Sequence, residues 1–199
     1  MKKIIVGITG ASGSIHALRL IQTLLTHDVE LHLIISDMGN QVLAHELKVQ
    51  KDDVPGFFIK LQESGKTRGR MTLHWSHDMF APVASGSFLA DAMVVIPCSM
   101  KTLSGIANGY SANLLERAAD VMLKERRPLI LMTRETPLSG VHLSNMLRAH
   151  EAGAVIMPAS PGYYHHPETI DDLVGFMVER VLDHLHIDHA EPLRWGEDG

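Results

Sequence analysis

The sequence predicts a three-layer α/β domain built on a parallel sheet, and three observations carry that expectation. Apolar runs of strand length recur at residues 4–8, 30–36, 92–96, 129–132 and 154–157. Segments with apolar residues at helical spacing lie between and after them, at about 14–25, 41–47, 113–126, 142–151 and 169–185. The run at 92–96 is apolar without alternation, the pattern of a strand covered on both faces.

Composition sets the outer bounds. A chain of 199 residues, 45% hydrophobic and 21% charged, is expected to form one soluble globular domain over 1–199. A formal charge of −5 argues against a nucleic-acid binder but leaves room for a local cationic pocket. No apolar run reaches the length that spans a bilayer. Met1-Lys2-Lys3 leads directly into the first strand rather than into a signal peptide. Cys98 stands alone, which excludes an internal disulfide and fits a reducing cytoplasm.

The first strand, 4–8, runs through Gly7, Gly10, Ala11, Ser12 and Gly13 into a helix. Strand, glycine-rich turn, helix is the arrangement in which backbone N–H groups meet a phosphate at a helix N-terminus. The glycines read GxxGxxG, not the GxGxxG dinucleotide fingerprint, so the turn suits a nucleotide or flavin phosphate, or a tight turn without ligand. The second strand ends on Ser36 with Asp37 following, which half meets the acidic position of an NAD site. The helix at 41–47 carries Glu46, which sequence physics reads as solvent-facing. Residues 48–72, with Asp52, Asp53, Pro55, Gly56, Lys66, Arg68 and Arg70, read as an excursion, by default a solvated loop with some short structure. Ala84-Ser85-Gly86-Ser87 suits close contact with a ligand or a neighbouring subunit.

Residues 97–135 are the densest in chemistry. The strand at 92–96 exits through Pro97 and Cys98 to Ser99, Met100, Lys101 and Thr102, whose hydroxyls suit a phosphate or a ring edge. The helix at 113–126 has a core face of Leu114, Leu115, Ala118, Ala119, Met122 and Leu123. Arg117 and Lys124 are seven residues apart, nearly two turns, and stand in one row. Taken alone, they also fit a solvated face with Glu116, Asp120 and Glu125 as local partners, since surface ion pairs are common. Pro128 ends the helix and opens a strand, and Arg134 and Glu135 follow its carboxyl end, where open α/β sheets bind ligands. Tyr163 and Tyr164 follow the last strand. The final helix presents Ile170, Leu173, Phe176, Met177, Val181 and Leu182 as its stripe, with Arg180 off it. The tail at 187–199, bearing Leu193 and Trp195, is expected to reach a neighbouring subunit.

Other chemistries find no support. Thirteen histidines include no HExxH, Tyr110, Tyr163 and Tyr164 have no Lys four residues on, and there is no GxSxG. Asp52-Asp53 and Asp171-Asp172 each lack the third partner of a DDxxD magnesium motif. Cys98, at a strand exit, reads as a small core residue.

GITGASG, ASGS, PCSMKTLSGIANGY, ERAADVMLKERRPLILMTRETPLS and PASPGYYH together resemble the UbiX-type flavin prenyltransferases, once described as aromatic acid decarboxylases, over 3–195. Ser14-Ile15-His16 departs from the family's small residue, apolar residue, Tyr. The resemblance implies a Rossmann-like or flavodoxin-like flavoprotein, usually a homo-dodecamer. Such an enzyme joins a dimethylallyl group from dimethylallyl monophosphate to reduced FMN at N5 and C6. It needs no metal, and its prenylated FMN serves a UbiD-type decarboxylase. By position, the resemblance implies that Gly10, Ala11, Ser12, Ser36, Ser99, Met100, Lys101, Thr102 and Arg134 bind FMN. It places Arg117, Lys124, Glu135, Tyr164 and Arg180 around the allylic phosphate, some across a subunit interface, and Glu46 near the reacting edge of the flavin. The catalytic candidates are therefore Glu135, Lys124, Arg117, Glu46 and Ser12.

Physics agrees with those positions. Cations aimed at the departing phosphate replace a metal, Tyr164 donates a hydrogen bond, and Glu135 shares a proton as acid and then base. A carboxylate among cations favours its charged form and burial opposes it, so the sequence leaves the protonation of Glu135 open. Three other readings stay open: an FMN-dependent cysteine decarboxylase, an NAD-linked oxidoreductase, and a non-enzymatic flavin carrier.

Overall fold

The structure, a computed structural model, describes residues 1–64 and 67–189. Its elements are β1 (Lys2–Ile8), α1 (Ser14–Leu25), β2 (Val29–Ile35), α2 (Asp37–Glu46), α3 (Val54–Ser64), β3 (Arg70–Trp75), β4 (Ala92–Cys98), α4 (Met100–Ala107), α5 (Leu114–Lys124), β5 (Leu129–Thr133), α6 (Gly140–Glu151), β6 (Val155–Pro158) and α7 (Ile170–Leu185). The strands lie in the order β3-β2-β1-β4-β5-β6, and every neighbouring pair is parallel.

Alternation along each strand sends side chains to opposite faces and so builds two cores. On one face Ile4, Val6, Leu31, Leu33, Val94 and Ile130 meet Leu20 and Ile21 of α1, Phe58 of α3 and Val181 of α7. On the other, Ile5, Ile34, Met93, Val95 and Leu131 meet Leu103 of α4 and Leu115, Ala118 and Met122 of α5. That is the predicted three-layer α/β architecture, now with all strands parallel. Each fully buried aliphatic side chain contributes roughly 1.5–3 kcal/mol. Among the described residues no helix is long and apolar enough to cross a membrane.

The predicted helices at 113–126, 142–151 and 169–185 form within a few residues of their expected bounds, because each has a side-chain cap: Asn113, Ser139 and Thr169 accept from backbone N–H groups of the first turn. Three expectations fail. Residues 48–72 are not mainly a loop, since they hold α3 and much of β3. Val54 and Phe58 are buried and Leu61 packs on the same core, which is helical spacing. Pro55 sits in the first turn, where a missing N–H is no loss, so it opens the helix rather than breaking it. The helix predicted at 41–47 begins at Asp37, because the Ser36 hydroxyl accepts from Gly39 N at 3.1 Å. Residues 100–107, for which the sequence predicted no helix, form α4 with Met100, Leu103 and Ile106 buried. Of the predicted subunit-reaching tail, Leu193 and Trp195 lie outside the described residues.

Candidate functional site

With this strand order the connections leave β1 and β4 in opposite directions, so the switch-point crevice of an open α/β sheet falls beyond their carboxyl ends. Thr9 pins its floor. The Thr9 hydroxyl donates to the Pro97 carbonyl at 2.7 Å and accepts from Ser99 N at 2.8 Å. Ser36 N donates to the Ile8 carbonyl at 2.9 Å, which draws the start of α2 to the end of β1. Ser99 caps α4, accepting from Thr102 N at 3.4 Å and donating to the Thr102 hydroxyl at 3.2 Å. Gly10, Ala11, Ser12, Ser36, Ser99, Met100 and Thr102 are therefore grouped around one crevice, with their hydroxyls shaping the helix starts.

The N-terminus of α1 differs from the phosphate cradle that the glycine-rich turn suggests. Its amides are taken by the chain itself: Glu46 accepts from Ser14 N at 2.7 Å and from Gly13 N at 3.1 Å. Glu46 is thus no solvent-facing helix glutamate. It sits beside Ser12 with a lowered pKa; burial pushes upward but is outweighed by bonds from the Ser12 hydroxyl, Ser14 and Gly13. A carboxylate at a helix N-terminus is also favoured by the helix dipole. The lowered pKa means that Glu46 stabilises the fold above its unfolded value, near 4.5, and that this contribution is lost as pH falls through the lower folded value. Glu46→Gln is therefore expected to lower stability at pH 7 by about 1 kcal/mol, a capping-scale loss moderated by partial exposure. The gap to wild type should close below pH 4.5 in denaturant melts followed by circular dichroism. A gap that holds constant down to pH 3 would contradict the charged cap.

Arg134 closes the crevice from β5, its Nε donating to the Ser12 carbonyl at 3.2 Å. Lys101 departs from the expected picture, because its ammonium is held by Glu116 at 2.5 Å. Glu116 itself is not a surface partner of Arg117: its side chain is fully buried and also accepts from Ala112 N at 2.9 Å. Cys98 is buried, with burial pushing its thiol up to about 12, so it is a core residue and no nucleophile.

The Arg117–Lys124 row exists and is lined by the ASGS loop. Arg117 Nε donates to the Ala84 carbonyl at 3.1 Å, and its guanidinium pairs with Asp120 at 2.7 Å. Lys124 contacts Glu125, and a side chain at Gly86 would meet both. Arg127, which sequence reasoning passed over, donates to the Gly86 and Phe88 carbonyls at 2.8 and 2.6 Å. Only the left-handed backbone of Arg126 (φ 57) turns Arg127 back onto the loop, and no sequence signal marks that.

The predicted phosphate group is not assembled within one chain. Arg117 and Lys124 belong to α5, on one face of the sheet, and Lys124 lies about 10 Å along the helix from Arg117. Tyr164 and Arg180 lie on or against α7, on the opposite face. Arg180 is exposed and pairs with Asp183 at 3.0 Å. Glu135 is exposed at the end of β5, accepting from Thr136 N at 3.1 Å.

Comparison with known proteins gives concordant findings. The family described as Flavoprotein matches residues 1–182. The flavin prenyltransferase UbiX of Alkalihalophilus pseudofirmus is 50% identical over 192 residues, covering 96% of this chain and 95% of that one. The crystal structure of AnUbiX (PadA1) in complex with FMN and dimethylallyl pyrophosphate matches with a TM-score of 0.86 at 40% identity, covering 98% of this chain and 97% of that one. A dodecameric FMN-dependent UbiX-like decarboxylase from Escherichia coli O157:H7 matches at 0.84 and 42% identity, covering 97% and 98%.

Proposed function

The chain belongs to the UbiX-type flavin prenyltransferases, a branch of the flavoproteins, and from that premise we propose how its residues divide the work. It is a prenyltransferase that uses FMN. The crevice beyond β1 and β4 receives reduced FMN, with Gly10, Ala11, Ser12, Ser36, Ser99, Met100, Thr102 and Arg134 around it. Lys101 contributes through its backbone at the start of α4, since Glu116 engages its ammonium. Ser12 and Glu46 lie at the reacting edge of the flavin and hold or move its proton.

The donor is dimethylallyl monophosphate. Its C–O bond breaks as C1 joins N5 of the flavin, which releases phosphate and the N5 proton; closure at C6 then completes the fourth ring, a proton being added to the allylic double bond and the C6 proton removed. Arg117 and Lys124 meet the phosphate charge that develops, Tyr164 and Arg180 close around it, and Glu135 shares its proton. The observation that carries this reading is the separation of the groups on opposite faces of the sheet. A complete site needs several copies of the chain, so the enzyme works as a homo-oligomer, by analogy with its dodecameric relative. We assign the whole chain to one flavoprotein unit, acting in the cytoplasm and supplying a UbiD-type decarboxylase.

Anaerobic incubation with reduced FMN, dimethylallyl monophosphate and excess EDTA tests this directly. The expected product is a flavin heavier by one dimethylallyl unit by mass spectrometry, able to activate an apo UbiD-type decarboxylase. Bound but unmodified flavin would favour a carrier, and dependence on added magnesium would refute the cation-only site.

A further inference from the structure

Tyr164 stands on a turn, yet three groups hold its ring. His165 lies flat on Phe176 of α7, with centroids 5.2 Å apart and planes 8° from parallel. The Tyr164 ring stands edge-on to both, 5.8 Å from His165 and 6.0 Å from Phe176. It also packs on Gly162, where an added Cβ would come within 2.7 Å of the ring. Phe176 and Arg180 are four residues apart on α7, so the surface that braces Tyr164 also carries Arg180.

His165 is unusual in this cluster. Both its ring nitrogens are buried and make no hydrogen bond among the described residues. A buried unpaired nitrogen is a cost, so what the ring offers here is its flat face rather than a donor or acceptor. A cleft of about 320 Å³ opens beside the ring, lined by His165 and Phe176 themselves with Arg19, Asp171, Asp172 and Glu179.

We propose that His165 is a positioning residue for the allylic phosphate: stacked on Phe176, it fixes the Tyr164 phenol in the orientation that meets the phosphate alongside Arg180. The inference rests on the reading above that Tyr164 and Arg180 bind that phosphate. An exposed tyrosine pays for its ordering at the moment of binding unless it is ordered beforehand, and an aromatic brace removes that cost.

Steady-state prenyl transfer with varied dimethylallyl monophosphate provides the test. His165→Ala is expected to raise KM for the donor about tenfold, the scale of one hydrogen bond to a charged group, with FMN affinity unchanged. His165→Phe, which keeps a flat ring, rescues KM. Gly162→Ala, whose Cβ would displace the Tyr164 ring, reproduces the His165→Ala effect. In a Tyr164→Phe background His165→Ala adds nothing further. An equal cost in that background, or a His165→Phe variant as impaired as His165→Ala, overturns the inference while leaving the function intact. A wild-type protein that transfers no prenyl group overturns the function and the inference together.

Discussion

Lys124→Met is expected to slow prenyl transfer by about 10²- to 10³-fold while leaving FMN affinity unchanged, because removing one preorganised charge from a transition state costs on that scale. The unchanged flavin affinity follows from geometry. Lys124 lies at the end of α5, beside the ASGS loop, whereas the proposed flavin site lies beyond the carboxyl ends of β1 and β4. Single-turnover mass spectrometry and fluorescence titration of FMN separate the two quantities. Glu135→Gln is expected to lose turnover as well, and wild-type activity in that variant would remove its proton-sharing role. Co-assembly sharpens the test. Lys124→Met and Arg180→Met are each expected to be strongly impaired alone, yet mixed oligomers should recover part of the activity. Their intact residues lie on opposite faces of the sheet, so in the proposed site they would reach any one phosphate from different chains. Failure of mixed oligomers to recover would mean that one chain supplies both cations to the same site.

Gly39→Ala is expected to destabilise the fold by roughly 3 kcal/mol, or ~6–12 °C in Tm for a chain of this size, the upper range for overpacking. A Cβ at Gly39 would lie 2.5 Å from the Ile8 carbonyl oxygen and 3.0 Å from its carbon. Neither atom is free to move, since that carbonyl also accepts from Ser36 N and ends β1 within the sheet. The same change at Gly175, where nothing lies within 4 Å, serves as the contrast and is expected to be neutral or stabilising, by up to about 1 kcal/mol from helix propensity. Thermal melts followed by circular dichroism compare them. Equal Tm values for the two variants would show that α2 can back away from β1, and the crevice would then be softer than its hydrogen bonds suggest.

Elements with long apolar stripes and side-chain caps were legible from sequence because both signals are local. The core face of α5 and the helix starts near Asn113 and Thr169 needed no knowledge of distant residues. α3 and α4 were missed for the opposite reason. Pro55, Gly56, Ser99 and Thr102 are turn-forming residues whose helical role depends on where they fall in a first turn, and on buried partners such as Phe58 and Leu103.

The sequence by itself determined the α/β alternation, the family, and the row of Arg117 and Lys124, since periodicity and motif are written in neighbouring residues. Tertiary structure alone decided what those groups touch. It gave the α1 amides to Glu46, 33 residues away, and the Lys101 ammonium to Glu116. It also set Tyr164 and Arg180 on the face of the sheet opposite to the α5 cations. Sheet order and face are fixed by long-range packing of two cores, and no local pattern in the chain encodes them.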